Sequence, residues 1–187
     1  MADIMHNIRI ESPINKVFEA LSTAEGLSGW WTKWTSFEKG SGEPGTVIRF
    51  GFADNKMAVK FEVTKFIKNE MIEWKCIDEP GEWSFHGTNI TFKLSEEIVE
   101  YYDNKKMTVV NFIHSGFKST DDFYTGSNTR WGFFLLSLKD LLEKGKGSPV
   151  PDDIFMWFIK LKYLRTYISF KSFMISYFSI LCWIFSI

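Results

Sequence analysis

The sequence is poor in the residues that most chemistry needs. It has two cysteines and three histidines in 187 residues. Cys76 and Cys182 lie in segments of different character and form none of the close spacings of a zinc or redox motif. His6, His86 and His114 are far apart, and there is no Gly-x-Ser-x-Gly elbow, no His-Glu-x-x-His and no phosphate-cradling glycine loop. These absences exclude the common signatures of serine hydrolases, zinc proteases and nucleotide-binding enzymes. Neither a metal nor a cofactor is expected. No basic-then-apolar stretch with a cleavage site opens the chain, so no secretory signal is expected, and with so few cysteines a reducing, cytoplasmic location fits.

Charge is also nearly absent in the sum, at −1, but it is unevenly spread. Residues 154–187 hold Lys160, Lys162, Arg165 and Lys171 and no acid, which leaves 18 basic against 23 acidic residues, about −5, over residues 1–153. A mildly acidic domain without a basic run does not suit a phosphate backbone, so no nucleic-acid partner is expected.

What is abundant is apolar and aromatic: 45% hydrophobic residues and 18% aromatic, enough for one domain with a ring-rich core. The longest signal runs from Ser127 to Lys144, where Trp131, Phe134, Leu135, Leu138, Leu141 and Leu142 recur at helical spacing. Phe133 and Leu136 widen that arc and predict a helix gripped by protein over its first half. Ser127 or Thr125 is the expected N-cap, and Gly145, Gly147 and Pro149 the stop.

In chain order, Ile4–Glu11 alternates as a strand and Ser12-Pro13 opens a short helix carrying Ile14, Val17, Phe18 and Leu21. A further helical turn over Thr23–Gly29, broken at Gly26 and Gly29, leads to Trp30, Trp31 and Trp34. Those indoles read either as a plug over one end of a sheet or as part of a cavity wall. After a Gly/Ser/Pro loop at Lys39–Gly45, strands are predicted at 47–52, 57–63, 71–77, 88–94 and 107–114, joined by short polar turns. Arg49, Lys60, Glu62, Glu73, Lys75 and Lys93 fall on one face, so the sheet is antiparallel with a wet side and a side that the long helix must cover. The fold class is α+β: a curved antiparallel sheet wrapped around a long C-terminal helix, with two short helices after the first strand.

Several stretches together, Trp30-Trp31, Trp83 with Gly87-Thr88-Asn89-Ile90-Thr91-Phe92, Thr108–Gly116 and Trp131–Lys139, resemble the START-like SRPBCC superfamily, within it the branch named after the activator of the heat-shock protein 90 ATPase. The resemblance covers residues 3–150; Phe117 stands where that family usually has tryptophan. It implies a helix-grip fold with an interior between sheet and helix that takes apolar ligands. On that basis the candidate ligand-binding wall is Trp30, Trp31, Phe50, Phe61, Trp74, Phe92, Phe112, His114, Trp131 and Leu135.

His114 shares a face with Val110 and Phe112 and is the one candidate for a general acid or base, though no inward carboxylate is there to orient it. Cys76 reads as a core residue, and Arg130 and Tyr124 as groups that could meet a polar atom at the mouth. The function expected is a non-catalytic carrier or sensor of a small apolar molecule. The alternatives are a co-chaperone-like domain acting on a heat-shock protein 90 type ATPase and a cyclase- or hydrolase-like enzyme using His114.

Residues 154–187 form a separate compositional regime, after a domain expected to span 1–153. They contain no Gly, Ala, Val, Asp or Glu, the residues whose codons begin with guanine, which suggests a frame-shifted or read-through extension. The competing reading is a membrane anchor at 172–187. Those 16 uncharged residues span about 24 Å as a helix, short of a hydrocarbon core of roughly 30 Å.

Overall fold

A computed structural model describes residues 2–81 and 84–153. By compactness the chain divides into Met1–Pro151 and Asp152–Ile187, and every described helix and strand belongs to the first unit. Trp83, Cys182 and both readings of the tail fall outside the described residues. Among the described residues no helix is long and apolar enough to cross a membrane.

Strand β1 (Ala2–Ile10) buries Ile4 and Ile10 through its alternation. Helix α1 (Ile14–Ser22) then turns Val17, Phe18 and Leu21 inward. Its N-cap position is Pro13, with no side-chain cap; Ser12 instead offers its carbonyl to the Thr108 hydroxyl. Helix α2 (Ala24–Trp30) is capped by Thr23, whose hydroxyl accepts from the Gly26 N–H at 3.0 Å.

This helix runs through Gly26 and Gly29 where a break was expected. A Cβ on Gly26 would lie 2.5 Å from the Ala20 Cα, and one on Gly29 would lie 2.9 Å from Leu141. These glycines let helices approach closely.

Strands β2 (Thr35–Lys39), β3 (Val47–Phe52), β4 (Met57–Ile67), β5 (Met71–Cys76), β6 (Asn89–Val99) and β7 (Lys105–Phe117) complete one seven-stranded sheet in the order β1-β7-β6-β5-β4-β3-β2, and every pairing is antiparallel. The edge strand β2 had no sequence signal beyond Phe37. Turns sit where polar residues accept a left-handed backbone, at Asp54 and Asn55 (φ 55° and 65°) and at Asp103 and Asn104 (φ 54° and 55°). Lys60 pairs with Glu38 on the outer face, and Lys106 with Glu96 where β6 and β7 approach their connecting turn, both at 2.8 Å and both solvent-accessible, each worth about 0–1 kcal/mol.

Helix α3 (Asp122–Lys144) covers the inner face. It begins earlier than expected, because the cap is Asp121, which accepts from the Tyr124 N–H at 3.0 Å; Ser127 is buried inside the helix. Its buried stripe is Trp131, Phe134, Leu135 and Leu138, and it ends at Gly145 with φ 74°. Phe133 and Leu136 lie on the exposed side, contrary to the wide grip expected of them.

The helix also covers the free edge of β1. Tyr124 donates its hydroxyl to the Asp3 carbonyl (3.1 Å), Lys139 donates to the Arg9 carbonyl (2.5 Å), and Glu143 accepts from the Glu11 N–H (2.6 Å). An edge whose polar groups are engaged in this way is a poor template for further strands. Beyond α3 the chain turns back over α2. Ser137 donates to the Trp30 carbonyl and accepts from the Ser148 N–H, and Val150 bonds to Trp31 and Lys33.

Candidate functional site

Alternation along the strands turns Phe50 of β3, Phe61 of β4, Trp74 of β5, Phe92 of β6, and Phe112 and His114 of β7 toward α3. Trp30 ends α2 and Trp31 follows it, while Trp131 and Leu135 project from the buried stripe of α3. The structure brings the whole predicted set together, and no member is more than 3% exposed.

Trp31 is the hub. Its ring centroid lies 4.0 Å from Phe50, 4.8 Å from Trp131, 5.9 Å from Trp30 and 6.0 Å from Trp74. Such pairs contribute about 0.5–1.5 kcal/mol each beyond the burial of their area. Trp34, from the same cluster of indoles, is only half-buried at the margin.

Within this aromatic interior the polar groups fall into two classes. Trp30 donates its indole N–H to the Ala20 carbonyl at 3.0 Å, which ties α2 to α1. Trp131 donates to Nδ1 of His114 at 2.9 Å. Since an indole can only donate, Nδ1 must accept, and the ring proton sits on Nε2. Nε2 lies 2.8 Å from the Thr88 hydroxyl, which in turn donates to the Phe85 carbonyl at 2.6 Å. The chain of donors therefore has one direction, from Trp131 through His114 and Thr88 to Phe85.

Burial holds the imidazole neutral, with its pKa pushed down to about 3. With both nitrogens engaged and the cation disfavoured, His114 orients its neighbours and is not poised to exchange protons near pH 7. The second class has no partner: the indole N–H groups of Trp31 and Trp74, and Nε2 of His6, are buried without a hydrogen bond.

One member of this chain of bonds, Thr88, lines an opening. A pocket of about 100 Å³ lies between the loop ahead of β6 and the β7–α3 connection, lined in part by Ser84, His86, Thr88, Phe117, Lys118 and Phe123. Phe117 is 4.6 Å from the His114 ring, His114 is 5.8 Å from Trp131, and Trp131 is 4.8 Å from Trp31, so rings lead from the mouth to the hub. Phe85 sits beside this path, 5.0 Å from His114 and 4.8 Å from Phe123.

Sequence reasoning missed Thr88 and Phe85. Thr88 shares parity with Ile90, Phe92 and Leu94, which was the available signal. Tyr124 and Arg130 do not line the pocket: Tyr124 bonds to β1, and Arg130 is an exposed residue of α3. His86 donates from Nδ1 to the Asp78 carbonyl at 2.7 Å and is exposed on the pocket wall. The Cys76 thiol is pushed up to about 11 by burial and is a core group without thiolate character. Glu73 stays on the outer face, where it accepts from the Thr64 hydroxyl. Among the described residues no cluster of three metal-ligating side chains occurs.

Comparison with known proteins places this geometry. No curated protein matches the chain. Among solved structures, the Aha1 dimer from Colwellia psychrerythraea is 41% identical, with 79% of this chain and 100% of that one covered and a TM-score of 0.65. Protein SSP2350 from Staphylococcus saprophyticus (22% identity, 78% and 95% covered, TM-score 0.59) and protein BH1534 from Bacillus halodurans (22%, 76% and 98%, 0.57) share the fold. The family model described as activator of Hsp90 ATPase homolog 1-like protein matches residues 11–143, and the chain belongs to that family, an AHSA-type START-like domain.

Proposed function

We propose that the chain is a non-catalytic binding module whose aromatic interior takes up a small apolar molecule, as a carrier or sensor. The observation that carries this reading is the mouth: a pocket bounded by Thr88, Phe117 and Phe123 adjoins a path of rings running inward to Trp31. Transfer of a ligand from water into such surroundings is favoured by about 25 cal/mol per Å² of apolar surface removed from water. His114 and Trp131 keep the wall in register, and a neutral histidine adds no charge for an apolar ligand to meet.

The test uses the full-length protein and 1-aminoanthracene, a probe whose emission rises when it leaves water. Saturable, equimolar enhancement that is lost in Ser119→Trp, which fills the mouth from an exposed position, supports uptake through this pocket. Emission that climbs without saturation, or that Ser119→Trp leaves unchanged, goes against it.

A second reading has its own support. The ring centroids around Trp31 are as close as 4.0 Å, as in a packed core, and the Colwellia relative carries the Aha1 name and is a dimer. On this reading the domain acts by contact with a chaperone of the heat-shock protein 90 type. Stimulation of such an ATPase by the purified chain, undiminished in Ser119→Trp, would favour it over ligand carriage. An enzymatic role through His114 has the least support, because neither of its nitrogens is available to a substrate.

A further inference from the structure

The interior sorts its indoles by hydrogen bonding. Trp30 and Trp131 spend their N–H groups on protein acceptors, the Ala20 carbonyl and His114 Nδ1. Trp31 and Trp74 do not, although they are 3% and 0% exposed. Their rings are parallel within 6° at 6.0 Å, and they share the same two neighbours: Phe50 lies 4.0 and 5.7 Å from them, Phe61 6.3 and 6.4 Å. The two orphaned donors therefore belong to neighbouring rings, walled by the same aromatic hydrocarbon.

A buried N–H without an acceptor is costly, and native interiors rarely leave one unexplained. Here two occur, on rings whose centroids are 6.0 Å apart. The alternative residue for the same space, phenylalanine, would carry no such cost and is already the commonest aromatic in the chain.

The charge of an incoming acceptor is constrained as well. Among the described residues no lysine or arginine is buried, so a carboxylate or phosphate would enter without a counter-charge, at a high desolvation cost. A pure hydrocarbon would leave both donors as they are. We infer that Trp31 and Trp74 form a donor pair for a neutral ligand with an apolar, ring-sized body and an oxygen acceptor, of the ketone, ester or ether class. This rests on the ligand-binding reading above and narrows it.

Acetophenone and ethylbenzene test it, since they share a shape and differ in the carbonyl. Both are titrated into the full-length protein while the indole N–H resonances are followed by ¹H–¹⁵N correlation, with Trp31→Phe and Trp74→Phe identifying the two peaks. Acetophenone is expected to bind about tenfold more tightly, the worth of one net hydrogen bond, and to shift the Trp31 and Trp74 resonances downfield while those of Trp30 and Trp131 hold. Either substitution should abolish the preference. Equal affinities would overturn the donor pair and leave ligand uptake standing. Saturation by neither compound would overturn both. The matched-pair comparison on the unsubstituted protein decides the matter even where a substituted chain does not fold.

Discussion

Trp131 on α3 donates its indole N–H to Nδ1 of His114 on β7 across 2.9 Å, and this one bond fixes the tautomer of the histidine and the direction of every donor after it. It joins the helix to the sheet through the centre of the domain, so its loss should be felt in stability first. His114→Phe leaves the Trp131 N–H without an acceptor and Thr88 without a donor. The expected cost is about 2–4 kcal/mol in urea denaturation. Trp131→Phe in the same background should cost much less than it does alone, and additive losses would mean that the bond contributes little.

The same residue sets an acid limb. Its folded pKa, about 3, lies below the ordinary value of 6.5, so between those values the unfolded chain binds the extra proton and the folded chain does not. Stability from this source is complete above pH 6.5 and falls as pH drops, by about 1.4 kcal/mol per pH unit, until pH 3. The difference between wild type and His114→Phe should therefore shrink with acid. Imidazole ¹⁵N shifts should report the neutral Nε2–H form at about pH 5, and a protonated ring there would contradict the assignment.

Two glycines in helices should respond in opposite directions to alanine. Gly26 of α2 has no room for a Cβ against the Ala20 backbone, so Gly26→Ala should destabilise by about 1–3 kcal/mol. Gly126 in α3 has nothing within 4 Å of that position, so Gly126→Ala should stabilise by about 0.5–1 kcal/mol. Melting temperatures of the two variants measure the contrast. A gain at Gly26 would mean that the helices are free to separate.

Cys76 should resist iodoacetamide at about pH 8 in the folded protein and react once the protein is unfolded in urea, because burial raises its pKa to about 11. Mass spectrometry of the peptide containing Cys76 keeps its signal apart from that of Cys182. Rapid labelling without denaturant would show that the interior opens readily at β5.

The sheet and its inward rings were legible because their physics is local. Period-two alternation in β3 to β7 sends Phe50, Phe61, Trp74, Phe92 and Phe112 to one face whatever the rest of the chain does. What escaped depends on partners distant in sequence. Strand β2 is a strand because β3 pairs with it, and position 26 is glycine because the Ala20 backbone leaves no room there for a Cβ, not because the helix breaks. The start of α3 was hidden because Asp122–Gly126 adds only Phe123 to the apolar stripe, while the cap, Asp121, lies outside the periodic pattern.

Phe133 and Leu136 looked buried by composition and are exposed by geometry. The candidate site divided in the same way. Its rings followed from parity, but which indoles are satisfied depends on Ala20 and His114, whose distances no spacing rule supplies.

The central claim, that the interior holds a small neutral molecule, is tested most directly by native mass spectrometry of the full-length protein purified from its own host without detergent. The expected result is a reproducible additional mass of a few hundred daltons at most, neutral on isolation, absent after denaturation and reduced in Trp74→Phe. A bare polypeptide mass from several independent preparations, with acetophenone also failing to add to the folded protein, would contradict the claim.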